Sequence, residues 1–411
     1  MTNETLSLSD YAARLFRLGG GDLVPSGRSP YFLAIDEAER AAAESGKRFV
    51  SFANYDYLGL SRHPEVEAAA AEALERFGTG ALASRVVGGE RSIHRELEKG
   101  LADFFGAEAA LVLVSGFLTN AAVVGHYLAA KDCIILDELA HASILAGAKG
   151  GRATVYKFRH NDLDDLERLL EEKRAAHGNC LIAVEGLYSM DGDVPDLPRL
   201  LDLKERHGAW LLVDEAHSHG VLGPRGRGIA EHFGVDPARI DIVIGTMSKT
   251  FVSCGGFVLA PKAFIDLLRF SLPGFIFSVG MPPMIAAAAK KALEILESEP
   301  WRVARLAENT EHFLRLLHGA GLESGPAIGR AVVPVMFPKI IQTMIASERL
   351  MDEGFYAPPI VQIGVPKDLP RIRFFFSAAH DKADIERAVA VLAGVAEEFG
   401  AVRQKEAAPA E

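Results

Sequence analysis

Five short apolar runs of this chain are each followed by side chains able to do chemistry. After Ala110-Leu-Val-Leu-Val114 come Ser115-Gly116-Phe117 and then Leu118-Thr119-Asn120. Cys133-Ile-Ile-Leu136 leads into Asp137 and His141, and Leu181-Ile-Ala-Val184 into Glu185 and Ser189. Trp210-Leu-Leu-Val213 is followed by Asp214 and His217, and Ile240-Asp-Ile-Val-Ile244 by Gly245-Thr246-Met247-Ser248-Lys249. A lysine in a loop of small residues can hold an aldehyde as an imine and later act as a base, which is the chemistry open to Lys249. A pyridine ring draws electrons from a bonded carbon only when its nitrogen is protonated, and a buried carboxylate such as Asp214 enforces that state. A phosphate is bound by backbone N–H groups where a helix begins, as one begins at Ser115-Gly116-Phe117. Thr246 and Ser248 add hydroxyl donors, and the imidazoles of His141 and His217 can stack on a ring or bond its phenolic oxygen.

Singly, each of these residues has an ordinary explanation. An aspartate in the position of Asp214 is often a helix cap, Gly116 is a turn residue, and Lys249 is a loop lysine. His141 and His217 would be structural histidines. Their joint occurrence at successive strand ends points elsewhere, to one site that suits pyridoxal 5′-phosphate.

The elements that must bring them together are short strands apolar on both faces, alternating with amphipathic helices. In Leu163 to Lys173, for example, Leu163, Leu166, Leu169 and Leu170 recur at helical spacing with charges opposite. That alternation predicts an α/β fold with a mainly parallel sheet covered on both sides. In such a sheet the chemistry-bearing residues all fall on the carboxyl edge, where ligands bind. Past Pro300 the pattern changes to a long helix (Val303 to Leu317), the run Val332 to Met336, a strand Arg371 to Phe376 and a last helix, Lys382 to Glu398. The expected division is a segment 1–55, with helices over Leu8 to Leu18 and Ala34 to Glu44, a large domain 56–298, and a smaller α+β domain 299–411.

Composition excludes several function classes. The hydrophobic fraction of 49% and charged fraction of 24% are those of a globular protein. A net charge of -11 argues against nucleic acid as a partner, because phosphate backbones require concentrated Lys and Arg. Cys133, Cys180 and Cys254 are far apart and form no CxxC pair, so neither a disulfide framework nor a zinc site is expected. A reducing, cytoplasmic location fits. The N-terminus has no basic segment or apolar core of the signal type. The uncharged stretch Ala109 to Ala130 is broken by Ser115, Gly116, Thr119, Asn120 and His126, so it reads as strand, turn and helix rather than a membrane span.

The motifs also resemble a known family, the α-oxoamine synthases within the fold-type I (aspartate aminotransferase-like) pyridoxal-phosphate transferases. The resemblance runs from about Phe52 to Arg373. It rests on Tyr55-Asp-Tyr-Leu-Gly-Leu60, Ser115-Gly-Phe117, Asp137 to Ser143, Glu185-Gly-Leu-Tyr-Ser-Met-Asp-Gly-Asp193, Val213-Asp-Glu-Ala-His217, Gly226-Arg-Gly228 and Gly245-Thr-Met-Ser-Lys249. Phe158-Arg-His-Asn161 and Thr-Met-Ser-Lys are similar to the serine palmitoyltransferase branch. Ser189-Met-Asp-Gly-Asp193 suits 8-amino-7-oxononanoate synthase and glycine C-acetyltransferase as well.

The resemblance implies a Schiff base on Lys249, with Asp214 paired to the pyridinium. His141 would stack on the ring, and His217 and Ser189 would lie near its phenolic oxygen. Ser115, Gly116, Phe117, Thr246 and Ser248 would serve the ring and phosphate. Ser278, in Phe277-Ser-Val-Gly-Met-Pro-Pro283, would reach the phosphate of a neighbouring subunit in a homodimer. Arg373, with His141 and Tyr55, would bind the amino-acid substrate. The implied reaction condenses an amino acid with an acyl-CoA, losing CoA and CO2, to leave an α-amino ketone. Where relatives have Arg-Pro-Pro before the last strand, this chain has Ala357-Pro358-Pro359. That difference suggests an altered substrate pocket and brings in an alternative, an aminotransferase acting on an amine.

Overall fold

The computed structural model describes residues 6–18, 30–36, 41–42, 49–361 and 369–400. Its centre is a seven-stranded sheet built from β1 (Ala109–Leu113), β2 (Cys133–Asp137), β3 (Thr154–Phe158), β4 (Cys180–Glu185), β5 (Trp210–Asp214), β6 (Ile242–Thr246) and β7 (Gly256–Ala260). The spatial order is β1-β7-β6-β5-β4-β2-β3. The run from β6 through β5, β4 and β2 to β3 is parallel throughout. Only β7 is reversed, antiparallel to both β1 and β6.

Alternating side chains of these strands enter different cores. Leu211 and Val213 of β5 pack with one apolar cluster, and Leu212 with another on the opposite face. Ile182 and Val184 of β4 divide from Leu181 and Ala183 in the same way. This is why the runs are apolar at every position rather than every second one. The crossover helix Leu163–Lys173 is capped by Asp162, whose side chain accepts the Asp165 N–H at 3.0 Å, and its leucines turn into the first cluster.

Register fixes the carboxyl edge. Glu185 lies opposite Asp214, and Asp214 opposite Ile244. Asp137, Glu185, Asp214 and Thr246 are each the last residue of their strand. The helix Gly116–His126 starts just beyond β1, with Ser115 as its N-cap.

A second sheet, order β8-β10-β9, is formed by β8 (Val332–Met336), β9 (Pro359–Ile360) and β10 (Arg371–Phe375), all antiparallel. Two helices close to the expected ones, Trp301–Gly319 and Lys382–Glu398, accompany it.

The N-terminal expectation holds in part. Helix Leu8–Leu18 forms, but the helix expected from Ala34 to Glu44 does not. Ile35 pairs antiparallel with Ala42 and Asp36 with Ala41, and the rest of that stretch lies outside the described residues. Short helices are marginal on their own, and here the pairing of Ile35–Asp36 with Ala41–Ala42 takes the place of the helix. The tail after Arg403 also lies outside the described residues.

Candidate active site

At the carboxyl edge the strand ends enclose a cavity of about 270 Å³. Lys249 and Asp214 both line it, together with Ser115, Gly116, Phe117, His141, His217, Thr246 and Ser248. Asn120, Ser143, Glu185, Cys254 and Gly255 complete much of the wall. Asp214 is fixed by two donors: Asn120 Nδ2 at 2.6 Å to Oδ2, and the Ala216 N–H at 3.0 Å to Oδ1. Asn120 is buried, and its own Oδ1 has no hydrogen-bond partner among the described residues.

The loop carrying Lys249 folds back on itself. The Met247 N–H donates to the Gly255 carbonyl at 2.9 Å, and Val252 N–H to the Lys249 carbonyl at 2.8 Å. Val252 sits at a φ of 42°, and Gly255 at 131°, a region L side chains rarely enter. Thr246 Oγ1 lies 2.9 Å from Ser248 Oγ and donates to the Gly255 carbonyl at 3.1 Å. A Cβ on Gly116 would stand 2.7 Å from Thr246 Oγ1, so glycine there lets the helix N-terminus and the β6 end close on the same space.

Burial pushes the Lys249 ammonium below its ordinary range; the Asp214 and Glu185 carboxylates oppose that fall and Arg373 deepens it. His217 is driven well down by burial, then by Lys249 and Arg373. Its Nδ1 lies 2.6 Å from the Tyr57 hydroxyl. Burial also lowers His141, whose Nδ1 sits 2.7 Å from Ser143 Oγ. Glu185 is raised well above the carboxylate range by burial and then by the neighbouring Asp214. The cavity thus holds one depressed amine and two carboxyls in different environments, the pattern that separates acid and base roles. Pyridoxal phosphate fits it: a crowded glycine beside hydroxyls at a helix start, a doubly held carboxylate, an unpaired amide oxygen and an amine facing one space.

Sequence comparison agrees with this geometry. The class I and II aminotransferase profile matches residues 47–392. The 8-amino-7-oxononanoate synthase of Symbiobacterium thermophilum is 40% identical over 87% of this chain and 91% of its own length. That of Geobacter sulfurreducens is 41% identical over 91% and 95%. Among solved structures, Sphingomonas wittichii serine palmitoyltransferase superposes with a TM-score of 0.91 at 29% identity, covering 97% of this chain and all (100%) of that one. A structure of SPT with a PLP internal aldimine superposes equally well, at 0.91 and 30% identity, over 97% of this chain and 100% of its own. The chain belongs to the class I and II aminotransferase family, in its α-oxoamine synthase branch.

The remaining residues that the family resemblance implies, Tyr55, Arg373, Ser189 and Ser278, are not in the wall of the cavity. The Lys249 ammonium stands 5.6 Å over the Tyr55 ring, which packs edge-on against His217 and Phe375. Arg373, on β10, donates from Nη1 to the Ser189 carbonyl at 3.0 Å and lies 4.5 Å over the Phe375 ring. Its Nε is buried and has no hydrogen-bond partner among the described residues. Ser189 contributes backbone to this contact, and its N–H approaches Glu185 Oε2 at 3.4 Å. Ser278 is not among the residues lining the cavity of this chain; its neighbours Phe277 and Val279 are 85% and 53% exposed.

Asn120, Glu185, Ser143 and Tyr57 belong to the site although sequence reasoning gave them no role. Asn120 was visible as a polar residue one helical turn beyond Gly116, on the same face. Next to the site stands a further cluster. His160 Nδ1 is 3.0 Å from Asp137 Oδ1, and its Nε2 is 3.0 Å from Asp193 Oδ2. Burial works against the imidazolium, but the two carboxylates prevail and hold it up to about 10.

Two outcomes are expected. Gly116→Ala introduces a clash of the overpacking kind, about 1–3 kcal/mol, and should weaken pyridoxal phosphate binding roughly ten- to a hundredfold, read by equilibrium titration of the apoprotein. His160, with its pKa raised, keeps its proton below the unfolded value and loses it only as pH passes about 10. Its ring resonances should therefore not titrate between about pH 6 and pH 9 in NMR of histidine-labelled protein, whereas an ordinary imidazole would.

Proposed function

We propose that this chain is a pyridoxal-phosphate C-acyltransferase of the serine palmitoyltransferase type, joining an amino acid to an acyl-CoA with release of CoA and CO2 to give an α-amino ketone. The observation that carries the reading is the single cavity shared by Lys249 and Asp214, with Arg373 at its side. Relatives of 40% and 41% identity bear synthase names rather than aminotransferase names, which supports condensation over amino exchange.

Pyridoxal phosphate supplies an aldehyde that condenses with amines and a ring that accepts electron density. Asp214, aimed by Asn120, would hold a proton at the ring nitrogen. Lys249 would carry the aldehyde, and, once an amino acid had displaced it, its free amine, lowered by burial, would suit removal of the amino acid Cα proton. Ser115, Gly116, Phe117, Thr246 and Ser248 would cradle the phosphate and ring edge. His141 would cover the ring, and His217 and Ser189 would stand toward its phenolic side. Arg373 offers its guanidinium to the substrate carboxylate, with Tyr55 beside it. Ser278 would reach the phosphate of a second copy in a homodimer, a role supported by the exposed Phe277 and Val279 around it.

Ala357 does not argue for the amine-using alternative. It is fully buried, its carbonyl accepts the Ser347 hydroxyl at 2.8 Å, and it is not part of the cavity wall. The apolar stretch that follows it, through Pro366, lies mostly outside the described residues. The reading keeps a large domain over 56–298 and a small one from 299. A cytoplasmic setting is part of it, supported by three free cysteines. Among the described residues no helix is long and apolar enough to cross a membrane.

The test is a panel of amino acids and acyl-CoAs with the pyridoxal-phosphate-loaded protein, following free thiol. Amino-acid-dependent CoA release is expected. Lys249→Ala should lack the borohydride-sensitive visible band, and Asp214→Asn should bind the cofactor but turn over about 10²- to 10³-fold more slowly. Exchange of amino groups with a keto acid and no CoA release would establish the aminotransferase instead.

A further inference from the structure

The cluster around His160 belongs to no part of the cavity wall, yet it is tied to the substrate side. Asp137 ends β2 and is fully buried. Its oxygens accept the Leu139 N–H at 2.8 Å, the Asn161 N–H at 2.9 Å and the His160 ring at 3.0 Å. On the other side of the imidazole, Asp193 Oδ2 also receives Asn161 Nδ2 at 2.6 Å. Asn161 itself stands at a φ of 53°, held there by these bonds. His160 therefore bridges the large sheet to the turn Tyr188 to Asp193, closed by Tyr188 N–H to Asp193 O and Gly192 N–H to Tyr188 O, both 2.9 Å.

That turn is what the small sheet's arginines hold. Arg373 donates to Ser189 O, and Arg371 Nη1 donates to Met190 O at 3.0 Å and pairs with Asp191 at 2.6 Å. Gly192 abuts β8: a Cβ there would meet the Val332 carbonyl at 2.4 Å. The chain of contacts runs from β2 through His160 and Asp193 to the turn, and from the turn to Arg373.

We infer that His160 is a positioning residue for the amino-acid substrate: by clamping Asp193 between the large sheet and the turn, it sets where Arg373 stands. This rests on Arg373 binding the substrate carboxylate. His160 touches neither cofactor nor reacting atoms, so the affected quantity is amino-acid affinity, separately from cofactor affinity and from the chemical step.

The experiment titrates L-alanine, L-serine and glycine into the holoenzyme, following the cofactor absorbance, beside cofactor titration of the apoprotein. His160→Gln should weaken binding of the amino acid that the wild type prefers by about tenfold or more, the scale of one charge-assisted hydrogen bond. Cofactor affinity and kcat should stay within about twofold. Asp193→Asn, which keeps an oxygen toward Nε2 but removes the ion pair, should act in the same direction and decides the matter if His160→Gln does not fold. Unchanged amino-acid affinity in these variants, or equal losses of amino-acid and cofactor affinity, overturns the inference. An Arg373→Lys control separates the two readings. If it weakens amino-acid binding and the His160 and Asp193 variants do not, only the clamp fails. If the wild type binds none of the amino acids, the acyltransferase reading fails and the clamp with it.

Discussion

A carboxylate buried at the end of a parallel strand has to be kept charged, and around Asp214 much of the local architecture follows from that need. An anion out of water is costly unless donors and cations replace the lost hydration. Asn120 and the Ala216 N–H supply two donors, and the Lys249 ammonium shares the cavity. The field of this one group runs through its neighbours: it raises Lys249 and His141 against the effect of burial, and it raises Glu185 along with it. Because β5 and β6 are in register with Asp214 opposite Ile244, the turn after Thr246 brings Lys249 back over the same edge.

Glu185 shows why only one of two adjacent carboxyls takes the ionic role. It lies opposite Asp214 across the β4–β5 pair, and both are buried. Two like charges so placed push one group toward its neutral form. Asp214 has two close donors, whereas Glu185 has the Ser189 N–H at the longer distance of 3.4 Å. Burial and the neighbouring Asp214 together push Glu185 up. The two environments diverge without any residue being exotic.

Much of this was legible in the sequence because strand ends are punctuated. Runs apolar at every position reported a sheet covered on both faces, and a polar residue closing each run reported the edge where the cavity forms. The missed strands, β3 and β7, fail that rule for identifiable reasons. Thr154–Phe158 lies at the sheet's edge with Thr154 and Lys157 exposed, so it lacks the apolar run. Gly256–Ala260 follows the lysine loop through two glycines and reverses direction, so it carries no catalytic residue at its end and its antiparallel pairing is a matter of tertiary context. Asn120 and Glu185 were on the page as letters, but their roles depend on the rotation of a helix and the register of two strands, which no single segment encodes.

Arg373 illustrates a different limit. A lone arginine on a strand of the small sheet says nothing about where its guanidinium stands, since a long side chain sweeps a wide volume. Its position is set from the other side, by the carbonyl of Ser189 and by the ring of Phe375. Ser189 in turn sits in a turn that Arg371 holds through Met190 and Asp191 and that His160 holds through Asp193. Beside Arg373 the small sheet and the large one are therefore joined by charge-assisted bonds, which are directional, in addition to the apolar packing they share. Directional bonds fix angle as well as distance, so the guanidinium of Arg373 is held in register with the turn.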